Sequence, residues 1–136
     1  MGWGTGSNLL GRRLLHFLDR AGIAKSEVSL VVSGASGSVA GDRLDAEVLR
    51  SAFSGVSLPP VLAPKGVTGE YGGGFLASVV LATAPRAFGP TAGFREIDPE
   101  VGLTPWAGGT LPAPRAVLAS SLGAGGAAAW AILEGA

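Results

Sequence analysis

The short run Val28-Ser29-Leu30-Val31-Val32 sets the fold class. It is apolar but for Ser29 and rich in β-branched valine, so it reads as a buried strand. Helical patterns flank it on both sides. Upstream, Leu10, Leu14, Phe17, Leu18 and Ala21 recur at helical spacing and form one apolar stripe. Ser7 or Asn8 is placed to cap that helix, and Gly22 to close it in a left-handed turn with Ile23 beyond. His16 lies beside the stripe and reads as a rim or surface residue. Downstream, Asp42 reads as the N-cap of a second helix, with Asp45 in its first turn, where the dipole favours a carboxylate. Leu44, Val48, Leu49 and Ala52 are its apolar face and Gly55 its end. Helix, strand, helix in this order predicts an α/β fold with the strand in a parallel sheet.

Beyond the second helix, Pro59 and Pro60 punctuate the chain and Val61-Leu62-Ala63 could be a second short strand. Residues 64–74 read as a polar, Gly-rich loop. Phe75 to Ala84 is apolar on nearly all sides; length and alanine content favour a buried helix, stopped by Pro85. Residues 86–114 are irregular. Arg115 to Ser120 and Ala127 to Leu133 read as two strands of a hairpin joined through Gly123-Ala124-Gly125-Gly126. No internal repeat appears.

Composition narrows the function. Ten basic and ten acidic side chains balance, and charged residues are 15% of the chain. That balance argues against a nucleic-acid footprint and a polybasic membrane anchor. No stretch is long and apolar enough to span a bilayer, and the first residues lack the order of a signal peptide, so a cytoplasmic location is expected. With no cysteine and one histidine, disulfides, cysteine-ligated zinc, a thiol nucleophile and a histidine-rich metal site are all excluded within these residues. Gly4 and Gly6 form a G-x-G with no strand leading in and no third glycine, which is not a phosphate loop. Ser36 and Ser38 lack a nucleophile-elbow context and read as loop serines. With 23 glycines, 9 prolines and so few charges, the chain is short of polar surface for a small monomer.

Several separated segments resemble one family, the β-ketoacyl synthases of the thiolase-like fold, in their C-terminal half. Val32-Ser33-Gly34-Ala35-Ser36-Gly37, then Gly41-Asp42 and Ala46-Glu47, is similar to the family's Ala-His-Gly-Thr-Ser-Thr loop with its Gly-Asp and Glu-bearing helix, one residue longer here. Lys65-Gly66-Val67-Thr68-Gly69-Glu70 resembles Lys-Ser-Met-Thr-Gly-His. Ala119-Ser120-Ser121-Leu122-Gly123-Ala124-Gly125-Gly126 resembles Ser-Asn-Ser-Phe-Gly-Phe-Gly-Gly. Gly89-Pro90-Thr91, Ile97-Asp98-Pro99-Glu100-Val101-Gly102-Leu103 and Gly2-Trp3-Gly4-Thr5 match the connecting segments.

The resemblance implies residues 1–136 as one half domain: a mixed sheet with helices on both faces and a C-terminal hairpin. It implies no cofactor. It places Ser33 and Glu70 where the family carries two histidines that assist decarboxylation, retains the family's lysine as Lys65, and puts Leu122 and Ala124 at the positions of two loop phenylalanines. Ser33, Lys65, Glu70, Leu122 and Ala124 are therefore the expected pocket residues, with no catalytic residue among them. A hydroxyl does not replace a ring nitrogen, and a carboxylate at position 70 would repel a developing enolate unless it were held neutral. A Lys65–Glu70 ion pair is a second reading of that loop.

Three functions remain open on this basis. The chain is a non-catalytic subunit that associates with a ketosynthase-type protein or an N-terminal half domain, as a chain-length factor does, and possibly with an acyl carrier protein. Alternatively it is the C-terminal part of a synthase or acyltransferase whose cysteine comes from another chain. The third reading is a truncated remnant, with the family's preceding strand lying just before Met1.

Overall fold

The structure is a computed structural model; it describes residues 6–84, 89–111 and 115–135. Its elements run α1 (Ser7–Arg20), β1 (Val28–Val32), α2 (Val39–Ala52), β2 (Val61–Leu62), α3 (Lys65–Thr68), α4 (Gly74–Ala82), β3 (Ala116–Gly123) and β4 (Ala127–Glu134). The strands form one mixed sheet in the order β2-β1-β3-β4. β1 runs parallel to β2 and to β3, and β3 and β4 form an antiparallel hairpin. This is the expected architecture; of the expected hairpin turn Gly123–Gly126, Gly123 still belongs to β3 and the turn is Ala124-Gly125-Gly126, with Gly125 and Gly126 at φ of 92° and 87°.

Alternation along the strands divides the core into two layers. Val31 of β1 and Leu118 of β3 face α1 and α2, packing with Leu14, Leu18, Val48 and Leu49. Leu30 and Val32, with Val117 and Ala119, face the other way, toward Ala82, Phe75 and Val79 of α4. Helices thus cover both faces of the sheet. α1 and α2 approach closely at Gly11, where a Cβ would lie 2.6 Å from Ser51 Oγ.

Most element types stand as read, and some details change. α1 is entered through Gly6 with no side-chain cap, so Ser7 is its first residue and neither Ser7 nor Asn8 caps it. Its end is as expected: Gly22 has φ of 73° and the Ile23 N–H returns to the Leu18 carbonyl. α2 begins earlier than the sequence suggests. Ser38, not Asp42, is its N-cap and accepts from the Gly41 N–H. Asp42 lies in the first turn, and its carboxylate accepts the Ser36 and Gly37 N–H groups. Asp45 is therefore beyond the first turn. The segment read as loop contains α3, one short helical turn. α4 is a helix as expected but not buried all round: Leu76 is 69% and Val80 67% exposed. β3 extends three residues past Ser120. Pro85 and the Gly2–Thr5 segment lie outside the described residues.

Candidate functional site

Ser33 directly follows β1, at the C-terminal end of the parallel strands, where α/β sheets place their ligands. Its residue is fully buried. The hydroxyl donates to Asp45 Oδ2 at 2.5 Å and accepts from the Ala35 N–H at 3.0 Å. Ser120, also fully buried, donates from β3 to the other oxygen of the same carboxylate at 3.1 Å. One acid on α2 thereby ties β1 and β3 from behind. Burial pushes the Asp45 carboxyl above its ordinary value; the bonds from Ser33 and Ser120 oppose the rise, Asp42 adds to it, and Lys65 opposes it.

Gly34 explains how the loop fits. A Cβ there would sit 2.8 Å from Ser121 Cα and 2.9 Å from the Ser120 carbonyl oxygen. The chain after Ser33 lies flat against β3, and no side chain has room between them.

Lys65 opens α3 and is buried, its side chain 2% exposed. Its Nζ lies 2.7 Å from Glu70 Oε2, whose side chain is 55% exposed. The ion pair is formed. Gly74, at the start of α4, lies beside it: a Cβ there would be in ordinary contact, 3.4 Å from Lys65 Cε and 3.6 Å from Glu70 Oε1.

A cavity of about 270 Å³ opens beside Ser33, walled in part by Ala35, Val39, Val61 and Phe94, with Asp42, Glu96 and Asp98 on its rim. Of the five expected pocket residues, Ser33 alone lines this cavity. Lys65 and Glu70 bind each other outside it. Leu122 turns into the core beneath α1 and α2, and Ala124 is exposed in the hairpin turn. Among the described residues no cluster of three His, Asp or Glu could hold a metal ion.

The residue the sequence reading undervalued is Asp45. Its signal was its position: Asp45 precedes Leu49 by four residues and Ala52 by seven, on the buried stripe of α2. A carboxylate on a core stripe requires buried donors, and Ser33 and Ser120 are those donors.

No family model matches the chain. Over 121 residues it is 31% identical to 3-oxoacyl-[acyl-carrier-protein] synthase 2 of Mycobacterium bovis and, equally, of Mycobacterium tuberculosis; the match covers 85% of this chain and 29% of the relative. The ishigamide ketosynthase/chain length factor superposes with a TM-score of 0.81 at 24% identity, over 95% of this chain and 33% of that one. A type II polyketide ketosynthase, solved with its acyl-carrier protein and bound to the hexaketide, superposes with a TM-score of 0.83 at 17% identity, over 96% and 34%. The chain spans about a third or less of the length of these proteins. In sequence it is similar to one part of a 3-oxoacyl-[acyl-carrier-protein] synthase, and in fold to one part of the solved ketosynthases.

Proposed function

We propose that this chain serves a ketosynthase-type assembly by association and does not itself promote decarboxylative condensation. One observation carries the reading. At the two positions where the resemblance implies imidazoles, the side chains are Ser33 and Glu70, and each is committed to a bond inside the protein. The Ser33 hydroxyl spends its proton on Asp45. Glu70 is held against the Lys65 ammonium. Neither can offer a neutral ring N–H to a thioester enolate.

Association is supported by the surface of α4. Leu76 and Val80 are more than two-thirds exposed, and Val67 and Tyr71 of the preceding segment are 71% and 49% exposed. Large apolar side chains gathered on one short stretch mark an interaction surface. The partner this reading assigns is a ketosynthase-type chain or the remaining part of such a fold, working in fatty-acid or polyketide synthesis, with an acyl carrier protein as the further component.

The test is assembly. The chain is mixed with each ketosynthase-type protein encoded in the same genome and followed by native mass spectrometry and analytical ultracentrifugation. A defined heteromer is expected, lost on the double substitution Leu76→Asp/Val80→Asp with the folded signal retained. A monomer that folds cooperatively and ignores every such partner contradicts the proposal.

A further inference from the structure

On the other side of the molecule, α1 and β4 border an open cavity of about 530 Å³ lined by Arg13, His16, Phe17, Arg20, Ala21 and Trp130. Arg13, His16, Phe17 and Arg20 stand at i, i+3, i+4 and i+7, so they share one face of α1. Phe17 packs on Trp130, ring centroids 6.3 Å apart and tilted by 35°. The result is an aromatic floor under a basic rim.

Nothing among the described residues neutralises that rim. Arg13, His16 and Arg20 are exposed, and none makes a salt bridge or a side-chain hydrogen bond with another described residue. No carboxylate lines the cavity. Arg20 stands in the last turn of α1, where the helix dipole favours a cation. That accounts for Arg20 but not for Arg13 and His16, which lie two turns and one turn earlier. The indole N–H of Trp130 is also buried without a hydrogen-bond partner among the described residues, an uncommon condition for a buried donor.

We propose that this cavity binds a small organic anion: a carboxylate, sulfonate or phosphate carried on a flat apolar body. The guanidinium groups of Arg13 and Arg20 would fork onto the anionic oxygens. The apolar body would stack against Trp130 and Phe17, where a flat ring finds both area and preferred geometry. The inference concerns residues distinct from Ser33, Lys65 and Glu70 and does not rest on the ketosynthase reading.

The test uses the intact chain, labelled with nitrogen-15, and follows the Trp130 indole N–H resonance. The probes are naphthalene-2-sulfonate, its neutral counterpart naphthalene-2-methanol, and inorganic sulfate. The expected result is a saturable shift with the sulfonate, at an affinity about ten-fold or more above either control. Arg13→Gln/Arg20→Gln, two exposed substitutions, is expected to weaken that binding by about ten-fold while leaving the spectrum otherwise dispersed. Equal affinity for the neutral alcohol would overturn the proposal, and so would unchanged affinity in the double variant.

Discussion

The Ser33 hydroxyl donates to Asp45 Oδ2 across 2.5 Å in a fully buried setting, and joins the end of β1 to the middle of α2. With Ser120 on the second carboxylate oxygen, the same acid is bonded to the two central strands of the sheet. The position that the family resemblance assigns to an imidazole is here a structural fastening. A buried polar group stabilises only when its partners are all present, so this trio is sensitive to single changes.

Asp45 makes stability depend on pH in a stated direction. Its native pKa is raised by burial, so the folded state holds the proton at pH values where the unfolded chain has released it. Stability from this site is full below the ordinary carboxyl value and is lost as pH rises through the raised native one. Asp45→Asn, which stays neutral and can still accept from one serine, is expected to flatten that fall. The check is urea unfolding of both proteins across the acid-to-neutral range; a fall of the same size in the Asn variant would contradict the assignment.

Gly34→Ala is expected to destabilise the fold by about 1–3 kcal/mol, the usual cost of forcing a methyl group into a filled site. The added carbon would meet Ser121 Cα and the Ser120 carbonyl, which are backbone and cannot swing away. Gly37→Ala, with open space around its Cβ but φ of 93°, is expected to be destabilised by backbone strain alone. Thermal unfolding of the two variants separates contact from conformation.

Glu70→Ala leaves the buried Lys65 ammonium without its partner and is expected to cost about 1–3 kcal/mol. The exposed side of the pair keeps the loss below that of a fully buried one. Lys65→Met, which removes the charge and keeps the stem, is expected to lose less stability than Glu70→Ala. Chemical denaturation ranks the two variants, and the reverse order would count against the pairing as the reason Lys65 is retained.

Much of this was legible in the residues because burial imposes a period. β1 occupies the five residues its apolar run marked, and Gly22 with Ile23 ends α1 as their chemistry demands. The start of α2 was not legible, because Val39-Ala40-Gly41 carries no helix signal and the cap falls to Ser38. Reading Asp42 as the cap moved Asp45 into the first turn, where an acid needs no partner, and so hid the one buried carboxylate. α4 misled in the opposite sense. An apolar run with no polar face implies full burial, yet Leu76 and Val80 are open. The Lys65–Glu70 pair was foreseeable from two opposite charges on one short segment; the helical turn of α3 that buries the lysine was not.

Turnover of the assembled heteromer separates a silent subunit from one that takes part in the chemistry. With the heteromer assembled, malonyl decarboxylation and condensation are compared for the native chain, Ser33→Ala and Glu70→Gln. A positioned proton donor contributes about 100-fold or more to such a step. Rates within about two-fold of the native complex are expected for both variants, since neither residue serves the reaction. A fall of about 100-fold in either variant, with the complex still intact, would place that residue in the chemistry and contradict it.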